Sequence, residues 1–516
     1  MRAGSGIWHR DRWLTLLLMA GAVCLRMEHR WHYRNLFLDT QVQLAAMQQA
    51  LTGHGYTTAT AHGAGVVYEP VLALFPPGFP VFAWPWFALT GDWIWAAWLA
   101  EGVAYLGLAL GWGGIMTLLT GTWYSAAARW LWVFWGVSLA PMHYLAAADT
   151  LGLMLLSGSL AGMLLYWRTG RAGVGWGSLL LLCLGIWVRS AYVPLLILPG
   201  IMAWLRGYFR RERQDWMLGW QMLAALTLPL YGFWLGQQTG TSFMQAPVRG
   251  WYPAHLLHTD VFPLKTFLYY GIPHELAAFQ RFPALELPVR TLACLVAAGL
   301  MVGWVRSWIR QLQDPASVAG GWAILQAGVL GLTLIPLGWL SLTWPPDDWN
   351  WIGFWTWVME TRYYAPAMGC LLLSTCHAAG MPGRPGRLAR VWLGGILLVA
   401  VLGAGYLRVR WYALRDTSGT FAAETPLAAL DWITSWHPGA ALGTIFIATP
   451  ADTRLFEISG AARADWDTLY RQDQLETNVT YMVWIPAGAD TLTAWLDHHQ
   501  FRPEYEDGQG KWFCRQ

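Results

Sequence analysis

The chain has 516 residues, of which 56% are hydrophobic and only 12% are charged, and its mean hydropathy is +0.34. About a quarter of the residues of a soluble globular domain are charged, so this composition excludes an ordinary soluble protein and predicts a polytopic membrane protein. The formal net charge of +3 is small and spread along the chain, which argues against a nucleic-acid-binding protein.

Apolar runs predict about 11 membrane-spanning helices, each near the roughly 20 residues that a span needs. The first run, Trp13 to Leu25, follows basic residues and has no small-residue cleavage site after it, so we expect an uncleaved signal anchor. The fifth and sixth runs are broken at Arg189 and Pro194, which predicts two short helices that meet near the outer surface. The spans are predicted near residues 13–27, 93–118, 129–146, 149–167, 176–189, 192–205, 216–236, 289–306, 318–341, 363–380 and 390–407.

Arginines predict the orientation of these spans. With a cytoplasmic N-terminus, the basic loop residues all lie inside, in agreement with the positive-inside rule. They are Arg168, Arg171, Arg206, Arg210, Arg211, Arg213, Arg306, Arg310, Arg384, Arg387 and Arg390. The polar segments then lie outside, namely the loops 28–92, 237–288 and 342–362 and the tail 408–516. Any chemistry is therefore expected on the extracytoplasmic face.

The tail changes character and predicts a small α/β domain of residues 408–516 that follows the transmembrane domain of residues 1–407. Its helix-like and strand-like patterns alternate, and it closes with a hairpin at Asp507-Gly508. The predicted helices are Leu427 to Trp436 and Ala489 to His498, and the predicted strands are Ala441 to Ala448 and Thr480 to Ile485.

The first outer loop contains the most informative pattern. Leu44, Met47 and Leu51 recur at helical spacing, which predicts a helix that lies along the membrane interface and stops at Gly53. Asp39 stands at the start of this helix. An aspartate there is a good N-cap, so a purely structural role is open beside a catalytic one.

Three motifs of this loop resemble the GT-C superfamily of membrane glycosyltransferases, which use polyprenyl-phosphate sugars. They are Asp39 directly after the first span, the Gly53-His54-Gly55-Tyr56 end of the helix, and the turn Phe75 to Pro80 before the second predicted span. "GIWVRSAYVPLLILP" (185–199) and "ETRYYAP" (360–366) resemble two further family segments, and the resemblance covers about four fifths of the chain. The protein O-mannosyltransferases and the lipid A aminoarabinose transferase belong to this superfamily.

The resemblance implies inverting sugar transfer, with the loop aspartate as general base, and Asp39 matches that position. No cofactor is predicted. The chain departs from the protein O-mannosyltransferase branch, since Asp39-Thr40 stands in place of an Asp-Glu pair and Phe75 to Gly78 in place of a Lys-Pro-Pro-Leu turn. The departure argues against a phosphate-binding lysine in this turn and against that branch.

Cations for the leaving phosphate are predicted at three positions. Arg189 ends a run that rises on the order of 20 Å from the cytoplasmic face, where an arginine indicates function or an ion pair with Asp149 or Glu101. Arg362 could bind the phosphate or anchor a span at the interface. Lys265, in the second outer loop, could meet a phosphate or be solvated.

Polar and aromatic residues outside these positions leave further alternatives. Glu69 and the pair Asp347-Asp348 could serve as second carboxylates or metal ligands, or could be solvated. Tyr56 could stack on a sugar or sit at the interface. Four histidines, His29, His32, His54 and His62, lack a closing ligand set, so no metal site is predicted.

The sequence therefore predicts a glycosyltransferase that moves a sugar from a polyprenyl-phosphate carrier to an extracytoplasmic lipid, glycan or protein. A transporter or lipid flippase, or a non-catalytic membrane scaffold, remain as alternatives. No internal repeat of the kind that many transporters show is visible. The excess of arginine over lysine, and the lack of a eukaryotic retention signal, predict a bacterial inner membrane.

Overall fold

The structure is a computed structural model of the chain. It describes residues 4–33, 38–62, 65–72, 75–138, 147–238, 302, 304–343, 361–383, 386–391, 393–395, 397, 445–448, 461–463, 480–486, 493–507 and 510–515. Contacts divide the chain into two compact units. The membrane unit comprises Met1–Tyr33, Trp98–Trp234 and Ala246–Leu407, and the loop–tail unit comprises Arg34–Ala97, Leu235–Gln245 and Arg408–Gln516.

Helices dominate the described part of the chain. Four of them are long and apolar enough to cross a membrane, over Trp95–Thr120, Ala148–Thr169, Ser190–Arg210 and Val318–Trp339. The helices are α1 (Gly4–Tyr33), α2 (Leu38–Leu51), α3 (Gly78–Thr90), α4 (Trp93–Thr120), α5 (Ala126–Ser138), α6 (Ala147–Thr169), α7 (Ala172–Val188), a 3-10 helix (Ser190–Ile197), α8 (Leu198–Arg210), α9 (Arg213–Ala225), α10 (Thr227–Gln237), α11 (Val318–Thr343), α12 (Thr361–Gly380) and α13 (Thr493–His498). The apolar helices support an integral membrane protein.

Polar contacts show which helix ends share a face of the membrane unit. Asp11 of α1 pairs with Arg129 of α5 at 2.9 Å, so these two helices begin at the same face. Thr150, near the start of α6, donates a hydrogen bond to Glu101, near the start of α4, at 3.2 Å. The helices α4 and α6 therefore also begin together, at the face opposite to the start of α5. These directions agree with the predicted threading.

A buried ion pair ties the ends of α6, α8 and α9 together at the arginine-rich face. Arg206 of α8 pairs with Asp215 of α9, and it also pairs with Glu212 at 2.7 Å. The Tyr166 hydroxyl of α6 donates to the second carboxylate oxygen of Asp215 at 2.6 Å. Arg206 and Asp215 are both buried. Arg210 extends the connection to the backbone just before α11, through a hydrogen bond of 2.9 Å to the Ala316 carbonyl.

Replacing Arg206 with methionine is expected to lower the free energy of unfolding by about 3–5 kcal/mol, because the Asp215 carboxylate stays buried without its cation. Thermal unfolding in detergent measures this loss. Arg213→Met is the control, since Arg213 is exposed at the start of α9. The double variant Arg206→Met/Asp215→Leu is expected to recover most of the stability, and equal losses in Arg206→Met and Arg213→Met would contradict this account.

Within its described residues, the loop–tail unit contains a seven-stranded sheet in the order β2-β1-β4-β3-β5-β7-β6. Its strands are β1 (Thr57–His62), β2 (Gly65–Pro70), β3 (Ile445–Ala448), β4 (Ala461–Arg463), β5 (Thr480–Pro486), β6 (Arg502–Asp507) and β7 (Gly510–Arg515). The first-loop strands β1 and β2 form an antiparallel hairpin, and β1 pairs in parallel with β4 of the tail at Thr60 and Arg463. The first loop and the tail thus share one sheet.

Several elements of this unit follow the sequence predictions. The predicted strand beginning at Thr480 is confirmed as β5, and the closing hairpin is confirmed as β6 and β7. The helix before it is shorter than predicted and starts at Thr493. The predicted helix 427–436 lies outside the described residues, and the division at residue 408 stays a prediction. In β7, burial and the charge of Glu504 raise the pKa of the Cys514 thiol to about 11, so the thiol is protonated at neutral pH.

Two first-loop elements were not predicted from the sequence. The segment after Tyr56, part of the predicted outer loop 28–92, forms the β1–β2 hairpin. The segment after Pro77, expected to belong to the loop, forms α3, whose side chains Val81, Trp84 and Leu89 are exposed. At 13 residues, α3 rises about 20 Å, which is short of the roughly 30 Å hydrocarbon thickness.

Candidate functional site

Helix α2 contains Asp39 and ends as the sequence predicts. It begins at Leu38, so Asp39 lies in its first turn, where a carboxylate is favoured by the helix dipole. The helix stops at Leu51, and Gly53 adopts a φ of +92°, a conformation that favours glycine. The side chain of Asp39 lies outside the described residues.

The buried face of α2 differs from the predicted apolar stripe. Leu44 is buried as expected, but Leu51 is 52% exposed. The polar residues Thr40 and Gln43 are buried instead, with exposed fractions of 0% and 2%. Packing against the following segments, which the spacing of apolar residues does not reveal, decides which face of this helix is covered.

Gln43 connects α2 to the Pro-Pro-Gly turn. Its Nε2 donates a hydrogen bond of 3.0 Å to the Pro76 carbonyl oxygen. Its Oε1 is buried and has no hydrogen-bond partner in the described part of the chain. An unsatisfied buried oxygen of this kind costs about 1–3 kcal/mol. Sequence analysis missed Gln43, because a glutamine beside other glutamines on a helix is typical of a solvated face.

Tyr56 lies at the base of the hairpin and is held by the same segment. Its carbonyl oxygen accepts a hydrogen bond from the Val71 N–H at 3.4 Å, and the Phe75 N–H in turn donates to the Val71 carbonyl at 2.8 Å. The Tyr56 hydroxyl is buried, without a partner among the described residues. Burial raises the pKa of Tyr56 above its ordinary value, so the phenol stays protonated and can donate a hydrogen bond.

We call Gln43, Tyr56 and Pro76, which these contacts connect, the loop cluster. Gln43 lies on α2, the helix that also contains Asp39. Glu69 belongs to β2 of the same unit, where its backbone pairs with Thr58, but its side chain is outside the described residues. Nearby, His54 stacks on Tyr68 with ring centroids 4.1 Å apart. In the described ranges, no three His, Cys, Asp or Glu residues come together as a metal site.

Arg189 marks a break between two helices of the membrane unit. It follows the last residue of α7 with an extended backbone, at φ −146° and ψ 107°, and precedes the 3-10 helix that contains Pro194. The break therefore falls at the predicted position. The 17 residues of α7 separate Arg189 from the basic loop at Arg171 by about 25 Å.

The alternative that paired Arg189 with Asp149 is confirmed. The Arg189 Nε and Asp149 Oδ1 atoms are 2.5 Å apart, and both side chains are largely buried. The next residue, Thr150, donates to Glu101, which is also buried. We call Glu101, Asp149, Thr150 and Arg189 the arginine cluster. It places two carboxylates and one guanidinium at the adjacent ends of α4, α6 and α7.

The side chains of the other predicted cations, and of the acidic pair Asp347-Asp348, lie outside the described residues. Arg362 lies in the first turn of α12, but its side chain is outside the described residues. Lys265 and the pair Asp347-Asp348 fall entirely outside them. The described residues thus contain two clusters that each include predicted residues, the loop cluster with Tyr56 in the loop–tail unit and the arginine cluster with Arg189 in the membrane unit.

Comparison with solved structures finds distant likenesses. No protein-family model matches the chain, and no curated protein matches it. Among solved structures, the chain is similar to the crystal structure of ArnT from Cupriavidus metallidurans bound to undecaprenyl phosphate. The sequence identity is 14% and the TM-score 0.39, with 99% of this chain and 98% of that chain covered. At this distance the likeness carries nothing about site residues, which rest on the motifs and contacts above.

Proposed function

We propose that the protein is a membrane glycosyltransferase that moves one sugar from a polyprenyl-phosphate carrier to an extracytoplasmic acceptor. In this reaction an acceptor hydroxyl oxygen attacks the anomeric carbon, and the bond from that carbon to the phosphate oxygen breaks. Asp39 takes the hydroxyl proton as general base, and the polyprenyl phosphate leaves. Attack from the side opposite the leaving group inverts the anomeric configuration.

The packing of the loop cluster supports this proposal most strongly. In the sequence, Asp39, Tyr56 and the Pro-Pro-Gly turn are separate motifs that follow one another along the chain. In the loop–tail unit, Gln43 of α2 donates a hydrogen bond to the Pro76 carbonyl oxygen. After the hairpin, the Val71 N–H donates a hydrogen bond to the Tyr56 carbonyl oxygen. The motifs therefore belong to one packed element, as parts of a single site would.

Arg189 is our proposed ligand for the leaving phosphate. The Asp149 carboxylate contacts its Nε atom, which fixes the plane of the guanidinium. A guanidinium presents its N–H donors in a planar fork, a geometry that suits phosphate oxygens. Such preorganised donors stabilise the charge that develops on the leaving group. Arg362 and Lys265 are proposed as further phosphate contacts, and Glu69 and Tyr56 as contacts to the sugar.

The test is consumption of donor by the purified full chain in liposomes of bacterial phospholipid. Polyprenyl-phosphate sugars with a radiolabelled sugar are added together with a heat-treated envelope fraction as the source of acceptors. The proposal predicts that label leaves the polyprenyl lipid and that free polyprenyl phosphate accumulates. Folded protein that releases no polyprenyl phosphate from any donor of the panel would contradict it.

A transporter or flippase remains the second candidate, because the arginine cluster sits at a broken helix. Discontinuous helices with buried ionisable groups are typical of transporters. The same liposomes separate the two functions. A flippase leaves the label on its carrier and changes the fraction that is accessible to an added enzyme outside, whereas a transferase separates label from carrier.

A further inference from the structure

The carboxamide of Gln43 has a fixed orientation in the contact between α2 and the Pro-Pro-Gly turn. Only Nε2 can donate to the Pro76 carbonyl, because a carbonyl oxygen cannot donate. The opposite atom, Oε1, is therefore the acceptor that stays buried without a partner among the described residues. The amide thus makes one specific bond and leaves its other polar atom unsatisfied.

Stability alone does not explain a glutamine at this position. A leucine of similar size would fill the same space; it would leave the buried Pro76 carbonyl without this donor but would remove the unsatisfied Oε1, so the two effects on stability offset each other. Side chains that break a local rule of stability in this way are concentrated at functional sites. The benefit of Gln43 therefore lies in the position that its hydrogen bond gives to α2.

The bond sets the position of α2 along its own axis. Gln43 follows Asp39 by four residues, which is about one helical turn or 6 Å of rise. The Pro76 carbonyl belongs to the rigid turn that starts α3, and the segment that precedes this turn is held by Val71 and Tyr56. A helix pinned here to a fixed carbonyl cannot slide or rotate without breaking the bond, so the residue one turn earlier is held in place as well.

We propose that Gln43 is a positioning residue, which holds α2 against the Pro-Pro-Gly turn so that Asp39 is placed to act as the base. The inference rests on the proposed function, in which Asp39 accepts the acceptor proton. Gln43 does not contact the reacting atoms in this account. It acts through the helix that it shares with Asp39.

Gln43→Leu in the full chain is the direct test. We expect kcat of sugar transfer to fall by about 10- to 100-fold, because small misplacements of catalytic groups have effects of this size. The donor KM and the melting temperature should stay near the wild-type values, since the leucine also removes the unsatisfied oxygen. Gln49→Leu is the matched control on the same helix and should keep wild-type kcat. An unchanged kcat in Gln43→Leu would overturn the proposal, and so would a loss that follows a fall in melting temperature.

Gln43→Glu adds a measurement, the pH dependence of kcat, that would not change if Gln43 had only a structural role. A protonated glutamic acid can donate to the Pro76 carbonyl, whereas the ionised carboxylate cannot. Burial raises the pKa of such a carboxyl. The kcat of this variant, taken relative to wild type at each pH, is therefore expected to be low at high pH and to recover as the pH falls through that pKa. A ratio that does not change with pH would contradict the bond as the cause.

A double-mutant cycle separates this inference from the proposed function. If Gln43 acts through Asp39, adding Gln43→Leu to Asp39→Asn should cause no further loss. Independent, multiplying losses would overturn the positioning role while the transferase stands. Absence of any transfer by the wild-type protein would instead overturn the proposed function.

Discussion

Asp39→Asn is expected to lower kcat of sugar transfer by about 10²- to 10⁴-fold, the usual contribution of a general base. Donor binding should persist, because the substitution keeps the size of the side chain. The variant also separates the two roles that the sequence leaves open. Asp39 lies in the first turn of α2 and not at the predicted N-cap, so a purely structural Asp39 would lose only a charge–dipole contribution of about 0.3–1 kcal/mol and would tolerate the change. Transfer and donor binding are measured on the same reconstituted preparation.

Asp92→Asn is the matched control for this experiment. Asp92 precedes α4, and its Oδ1 accepts a hydrogen bond from the Trp95 N–H at 3.2 Å, which is the geometry of an N-cap. This variant should retain wild-type transfer. Full activity in Asp39→Asn would contradict the role of Asp39 as general base, and equal losses in both variants would indicate a structural effect.

The second large effect is expected at the arginine cluster. Arg189→Met alone removes the cation next to the buried Asp149, and this is expected to lower the free energy of unfolding by about 3–5 kcal/mol. The double variant Arg189→Met/Asp149→Asn removes both charges and should regain most of this stability. Its donor affinity should still be lower by about 10- to 150-fold, because hydrogen bonds to charged groups contribute about 1.5–3 kcal/mol.

The buried pair at the other end of the membrane unit supplies the control. Arg206→Met/Asp215→Asn removes the same two charges from α8 and α9. Equilibrium binding of a radiolabelled polyprenyl phosphate to each double variant is the measurement. Reduced binding in the Arg189 variant alone supports the phosphate role. Wild-type binding in a folded Arg189→Met/Asp149→Asn protein would assign Arg189 to the ion pair only.

Long apolar helices could be predicted from the sequence, whereas the short apolar helix α3 was missed. Val318–Thr343 is a mostly apolar run without charged residues and longer than a membrane span, so composition alone reveals it. Helix α3 is too short for that signal and contains Pro85, so its residues were assigned to a loop. The β1–β2 hairpin was missed because its pairing with β4 at Arg463 depends on residues from the far end of the chain.

The site was predictable where a residue carries its own signal. Arg189 was identified because an arginine at the end of an apolar run is costly, and its predicted partner Asp149 is observed. Gln43 carries no such signal, since only its packing against Pro76 distinguishes it from the half-buried Gln48 and Gln49 on the same helix. Spacing reveals which residues share a helix face, but tertiary contacts decide which face is buried.

The most direct test of the account compares wild-type protein and Asp39→Asn in the same liposomes, with labelled polyprenyl-phosphate sugar as the donor. Free polyprenyl phosphate is measured over time. We predict that wild-type protein releases it while sugar label appears in the acceptor fraction, and that Asp39→Asn releases it at least about 100-fold more slowly. Equal release by the two proteins, or no release by folded wild-type protein, would contradict the account.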